Sequence, residues 1–165
     1  MCAAILSTGC DRPAIPSNDN AVTRAGAEEL SKKQISELTR AEGQRVYVPV
    51  YSHIYHMENE VFDLTGTLSI RNIDEHASLY IQSVKYYDTA GKLLREYAKS
   101  PVRLPPLATL EYIIGVGDTE GGSGANFIVE WMSDRPLNDP IIECVMIGTQ
   151  SQQGVSFISS GKVLE

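Results

Sequence analysis

The sequence has few of the features that mark a nucleic-acid-binding protein or an integral membrane protein. Its 14 Lys and Arg residues stand against 21 Asp and Glu residues, which gives a net charge of −7, and the basic residues are scattered. Because phosphate binding depends on clustered Lys and Arg, this balance argues against a nucleic-acid partner. No apolar run reaches the roughly 18 residues of a membrane-spanning helix. The 165 residues, 42% of them hydrophobic, are enough for one domain with its own core.

Cysteine is scarce as well, with three residues at Cys2, Cys10 and Cys144. Cys144 lies in the apolar run 141–147, where a cysteine usually behaves as a small buried hydrophobic residue. The first ten residues, MCAAILSTGC, are similar to the end of a bacterial lipoprotein signal, in which the cysteine is lipidated and begins the mature chain. No Lys or Arg precedes Cys10, and the apolar run 2–6 is shorter than the core of about 7–15 residues of a full signal.

We therefore interpret residues 1–9 as the remnant of a lipoprotein signal peptide and predict lipidation at Cys10. This interpretation predicts an extracytoplasmic protein of the periplasm or cell envelope, attached to a membrane by its lipid anchor. The alternative is an ordinary N-terminal tail, in which case a Cys10–Cys144 disulfide remains open.

The composition of residues 10–43 predicts a tether. The stretch up to residue 20 is rich in proline and small polar residues, which indicates a flexible spacer. Leu30, Gln34 and Leu38 then follow at helical spacing, which predicts a short helix with a thin apolar stripe. The domain itself is predicted over residues 44–165.

From Arg45 onward the sequence predicts an all-β domain. Phe62, Leu64, Leu68 and Ile70 alternate with polar residues, which is typical of a strand with one buried face. Short runs of this kind, with no convincing helix between them, indicate an immunoglobulin-like antiparallel β-sandwich of about 7–8 strands. The predicted strands cover residues 45–51, 62–72, 79–88, 92–98, 107–115, 125–132, 141–150 and 155–164.

Five stretches of the predicted domain carry a family resemblance. They resemble the bacterial domain-of-unknown-function family numbered 3124 over about residues 45–164. The resemblance implies no particular activity, because none is established for the family, and it implies export, because its members are commonly exported. A looser similarity connects the chain to immunoglobulin-like and fibronectin-type domains. The five stretches are VYVPVYSHIY (46–55), LSIRN (68–72), VKYYD (84–88) with Gly91 and Lys92, GGSGANF (121–127), and PIIE (140–143) with MIGT (146–149).

His53 and His56 are the candidate metal ligands of the sequence. Positions three apart on a strand point to opposite faces, so the two imidazoles can share a metal only if the chain turns between them. Copper is not predicted at Cys144, because no histidine follows it in the sequence. The glycine stretch 121–124 lacks the Lys-Ser or Lys-Thr of a phosphate loop and instead predicts a tight connection with positive φ.

No catalytic constellation is recognisable. Ser52 and His53 do not become a nucleophile and base merely by being adjacent, and no Gly-x-Ser-x-Gly pattern occurs. The sequence therefore predicts a non-catalytic binding module of the bacterial envelope, without a cofactor, whose partner is an unidentified envelope protein or ligand. A periplasmic metal-binding protein using His53 and His56 is the alternative, and an uncharacterised hydrolase is a weaker one.

Counting strands predicts where a binding surface lies. If the strands run alternately up and down, the loops 52–61, 89–91, 116–124 and 151–154 share one end of the sandwich. The loops 73–78, 99–106 and 133–140 then share the other end. Because loops on a rigid scaffold often carry binding residues, the richer polar end is the candidate surface. Its predicted members are His53, His56, Asp118, Glu120, Ser123 and Asn126.

Overall fold

The protein is a two-layer antiparallel β-structure, seen in a computed structural model that describes residues 22–24, 26–150 and 153–164. The residues described include one short helix, α1, at Lys32–Glu37, which begins with a capping box formed by Ser31 and Gln34. The strands are β1 Val22–Arg24, β2 Glu28–Glu29, β3 Glu42–Pro49, β4 His53–His56, β5 Glu60–Asp63, β6 Thr65–Arg71, β7 Leu79–Tyr87, β8 Leu93–Ala98, β9 Val102–Leu104, β10 Thr109–Ile114, β11 Asn126–Ser133, β12 Ile141–Gln150, β13 Gln153–Ser160 and β14 Lys162–Val163.

Two sheets form the layers, and neither closes into a barrel. The first sheet has the order β1-β10-β6-β12-β13. The second has the order β14-β3-β11-β7-β9-β2, and β8 pairs with the other half of β7. Strands β4 and β5 form a separate hairpin. The predicted all-β fold is confirmed.

The core lies between the two sheets and draws on alternate residues of both. Leu68 and Ile70 of β6 and Phe127, Val129 and Trp131 of β11 are almost completely inaccessible to solvent and belong to one hydrophobic cluster. This confirms the predicted inward-facing set, in which Leu64 is buried and Phe62 is half-buried against the same cluster. Burial of such side chains is the main source of folding free energy.

All eight predicted strand regions contain strands, but two predicted loops were wrong. Residues 52–61 hold most of the β4–β5 hairpin, and residues 99–106 hold β9. The predicted strand 62–72 is interrupted at Leu64, whose N–H bonds to the carbonyl of Ser52 at 2.9 Å. The predicted strand 155–164 is interrupted at Gly161, where the chain passes from the first sheet to the second.

Part of the predicted tether packs on the domain. Residues 1–20, including Cys2 and Cys10, lie outside the residues described. Strand β1 pairs with β10, and β2 pairs with β9. The predicted short helix is present as α1, and buried Leu30 packs with Tyr80 and Met132 of the second sheet. An open groove of about 310 Å³ lies between α1 and this sheet. In the part of the chain that is described, no helix is long and apolar enough to cross a membrane.

The proline-bearing loops meet at one end of the sandwich, as the strand count predicts. Asn72 is buried there, and its Nδ2 donates to the carbonyls of Ala77, Leu104 and Pro105 at 2.8–3.2 Å. Oδ1 of Asp74 accepts from the N–H groups of residues 76 and 77, both at 2.8 Å. Its Oδ2 accepts from the N–H of Asn138 at 3.2 Å. The backbone donors, of which His76 is the strongest, hold the pKa of Asp74 below its ordinary value of 3.8.

Asp74→Asn is expected to lower the melting temperature at neutral pH. A carboxylate whose pKa is lower in the folded state stabilises above its unfolded pKa and loses that contribution as the pH falls through the folded pKa. The difference between wild type and variant should therefore shrink below about pH 4. Thermal unfolding followed by circular dichroism from about pH 2.5 to 7 measures it. Asp63→Asn, on the exposed hairpin, controls for the loss of one charge. A difference in melting temperature that stays constant across this pH range would contradict the stabilising role of the Asp74 carboxylate.

Candidate functional site

The other end of the sandwich brings three sequence-distant loops into direct contact. The N–H and Oγ of Ser52 both donate to the carbonyl of Gly122, each at 3.2 Å. Thr89, in the turn after β7, donates from its N–H and Oγ1 to the carbonyl of Gly121 at 2.9 and 3.0 Å. The N–H of Gly124 donates to Thr89 Oγ1 at 3.0 Å. The loops at 52–61, 89–91 and 116–124 therefore lie together as predicted, while part of the predicted turn at 151–154 lies outside the residues described.

The turns at this end need the glycines that the sequence places there. Gly91 has φ 80° and Gly122 has φ 78°, a region that side chains disfavour. Asp88 closes the first of these turns by accepting from the N–H groups of Ala90 and Lys92. Gly121 is close to the buried ring of Tyr86, so the glycine loop approaches a core aromatic residue directly. The predicted positive-φ connection is confirmed.

A charged cluster lies beneath the glycine loop. The guanidinium of Arg95, on β8, donates to Asp118 Oδ2, and its Nη2 lies 3.4 Å from Glu120 Oε2. The hydrogen bond that Arg95 donates to Asp118 raises the pKa of the Arg95 guanidinium. Burial, and then the charge of Asp118, raises the pKa of the Tyr86 hydroxyl. Arg95 also lies over the Tyr86 ring, with its Cζ 5.9 Å from the ring centroid. This pairing holds Asp118 against β8, while the Glu120 side chain stays 70% exposed.

The β4–β5 hairpin separates the two candidate metal ligands. His53 is opposite Asp63 in the hairpin, whereas His56 is opposite Glu60, three residues further along β4. Alternation along the strand therefore sends the two imidazoles to opposite faces. His53 Nε2 lies 3.3 Å from Tyr55 Oη, and His56 packs edge-on against Phe62. Among the residues described, no group of three or more His, Cys, Asp or Glu is arranged to hold a metal ion.

The outer face and tip of this hairpin carry exposed apolar side chains. Tyr55 and Val61 are direct cross-strand partners and are 60% and 46% exposed. Met57, at the tip, is 74% exposed. The three tip residues Met57, Glu58 and Asn59 all have positive φ, at 35°, 33° and 82°. For Met and Glu this conformation is strained, and such strain is found preferentially at functional sites.

Residues 43–164 match the family model described as Protein of unknown function (DUF3124), which is more than half of the chain. The chain belongs to this family. No curated protein and no solved structure matches the chain.

Ser52 and His53 of this DUF3124 domain make a contact that adjacency alone did not predict. Ser52 Oγ lies 3.2 Å from His53 Nδ1, within hydrogen-bonding distance. The serine is only 1% exposed, and its hydroxyl also bonds to the Gly122 carbonyl. The other nitrogen of the histidine faces a tyrosine hydroxyl, whereas a catalytic triad needs a carboxylate there. Ser52 therefore serves to tie the start of the hairpin to the glycine loop through its bonds to Gly122.

The other candidate residues of the DUF3124 domain lie in the glycine loop, at the start of β11 and in the core. Ser123 follows Gly122 in the glycine loop, and Asn126 begins β11 opposite Pro49 and Tyr87. Cys144 is fully buried, as predicted, and burial raises the pKa of its thiol to about 12. Such a thiol is not ionised at neutral pH, so it acts as a core residue.

Sequence reasoning missed Arg95, Tyr55 and Val61. Arg95 lies in a predicted strand and carries no motif, so only the fold reveals its partners Asp118 and Glu120. Tyr55 and Val61 lie within the predicted loop 52–61. The alternation of His53, Tyr55, Val61 and Asp63 on one face was a usable signal for this hairpin.

Proposed function

We propose that this DUF3124 protein is a non-catalytic binding module of the bacterial envelope, tethered to a membrane through a lipid on Cys10. The tether rests on the pattern Gly9-Cys10. The binding role rests on one structural observation, the exposed apolar tip of the β4–β5 hairpin. Aromatic residues and Met are enriched in protein–protein interfaces, and this hairpin exposes Tyr55, Met57 and Val61 together.

The charges around the hairpin define the partner's chemistry. Glu58, Glu60 and Asp63 lie on the hairpin, and no Lys or Arg occurs between Arg45 and Arg71. An acidic rim around an apolar tip complements a protein surface with an apolar recess bordered by basic residues. The same rim disfavours anionic lipid headgroups, because they carry the same sign of charge. The partner is therefore a protein.

The hairpin is held rigidly enough to act as a recognition element. Its inner face, with Ile54 and Phe62, packs against the core cluster, and Ser52 is bonded to the glycine loop. Preorganisation of this kind lowers the entropic cost of binding. Charged residues at the exposed positions Tyr55 and Val61 should therefore affect binding without affecting the fold.

In-cell photocrosslinking of the natural gene product tests the proposal. A benzoyl-phenylalanine at Met57 should give one discrete crosslinked protein, and the product should be found in the membrane pellet. Mass spectrometry of this product should show a mature chain that begins at a lipidated Cys10. The crosslink should be lost when Tyr55 and Val61 are both changed to Asp.

The matched control is the same photoreactive residue at Leu107, which is 67% exposed at the opposite end of the sandwich. Equal crosslinking from Leu107 and Met57 would contradict a specific role for the hairpin. A natural product that retains unmodified residues 1–9 would contradict the lipid anchor.

A further inference from the structure

The unpaired edge of β13 has unusual properties for an exposed strand. It is eight residues long, Gln153–Ser160, and contains neither a charged residue nor proline. It pairs with β12 on one side, and among the residues described no strand pairs with it on the other. A strand in this position presents a row of free N–H and C=O groups to an incoming strand.

The other border strands of the two large sheets are, among the residues described, protected against such pairing. Strands β2 and β14 have two residues each, and β1 has three. Strand β8 is longer but carries Arg95 and Glu96. Short strands and charged residues are the usual means of preventing edge-to-edge association. Strand β13 has neither, which indicates that its edge is kept open for pairing.

We infer that β13 pairs antiparallel with β13 of a second copy of this chain, joining the two first sheets across a twofold axis. Self-pairing at a twofold axis brings the same surface of both copies together. The chain carries a net charge of −7, so most of its surface repels a second copy, but this strand has no charge to do so. A partner of opposite charge would gain no electrostatic attraction at this edge.

The outer face beside the edge supports the same arrangement. Ile158 is 60% exposed and lies opposite Val145, while Ile147 is 51% exposed and lies opposite Ser156. These apolar residues form a strip along β12 and β13. Edge pairing would place the strips of two copies side by side and bury more apolar surface, which favours association.

Sedimentation velocity of the full 165-residue chain, under reducing conditions and over a range of concentrations, tests the inference. A monomer–dimer equilibrium is expected, together with concentration-dependent protection of the β13 amides from hydrogen exchange. The double variant S156K/I158K places lysines at two exposed positions of β13 and should weaken the dimer by about tenfold or more. Its far-UV circular dichroism should match that of wild type.

Two further variants identify the partner strand and the surface. Mixing S156K/I158K with S156E/I158E should restore association as a one-to-one heterodimer, which is expected only if two β13 edges meet. Ile147→Lys makes the same kind of change on the same face but one strand away, and should weaken the dimer by less than about threefold.

Three results would overturn the inference. The first is a monomer at every concentration, even if another segment of the same chain protects the β13 amides. The second is a dimer that Ile147→Lys disrupts and S156K/I158K does not, because it would use the sheet face. The third is the absence of a heterodimer between the oppositely charged variants. None of these results depends on Cys10 or on the β4–β5 hairpin.

Discussion

Trp131→Ala is expected to lower the free energy of unfolding by about 3–5 kcal/mol. Trp131 is 1% exposed and packs in the cluster between the two sheets, so truncation leaves a large cavity. Because domains of this size are stable by only about 5–15 kcal/mol, the variant should be close to unfolding. Urea denaturation followed by circular dichroism measures the loss.

Tyr55→Ala is the matched control for this loss. It also removes an aromatic ring, but from a side chain that is 60% exposed, and should change the stability by less than about 0.5 kcal/mol. A loss below about 1 kcal/mol for Trp131→Ala would show that the sheets do not pack around this residue.

Gly121→Ala should destabilise the fold by about 1–3 kcal/mol or more. An added Cβ would lie 2.6 Å from Cζ of Tyr86 and 2.8 Å from Cβ of Ala125, and closer still to the tyrosine oxygen. The ring is fully buried and cannot move away without disturbing the core. Gly117→Ala, in the same loop, is the control, because nothing lies within 4 Å of a Cβ there.

Tyr86→Phe should partly rescue Gly121→Ala. The hydroxyl that the new methyl group meets is buried and has no hydrogen-bond partner among the residues described. Its removal should therefore cost little by itself, and the two substitutions should be non-additive. Chemical denaturation of the four proteins of this double-mutant cycle gives the coupling. Additive losses would mean that the ring and the glycine loop are not in contact.

The sheets could be predicted from the sequence because their strands alternate cleanly. In β6 and β11, for example, every second residue faces the core, so the pattern alone fixes the buried face. The short strands β2 and β9 could not be predicted in this way. Each is too short to show a period, and β2 exists through its pairing with β9. Both strands form because of tertiary contacts.

The sequence was enough to predict which loops share one end of the sandwich. It was not enough to predict which side chains contact each other there. Up-and-down strand order is enough to bring Ser52 close to Gly122 across 70 positions of sequence. It does not show that Asp118 is held by Arg95, because that depends on the side-chain direction of a residue on β8 and on the path of the loop 116–124. Nor does it show which hairpin residues face outward, since that follows from a register of β4 and β5 fixed by the fold.

In the tethered molecule that we propose, the pairing of β1 with β10 would determine how far the domain can travel from its anchor. Only the residues between Cys10 and Val22, where the first sheet begins, would then separate the anchor from the domain. Fully extended, such a segment reaches roughly 40 Å, whereas a spacer continuing to residue 44 would reach about 115 Å. A flexible chain of this length has a mean span of only about 20 Å. The domain would thus work within its own diameter of the bilayer and meet partners that lie close to the same membrane.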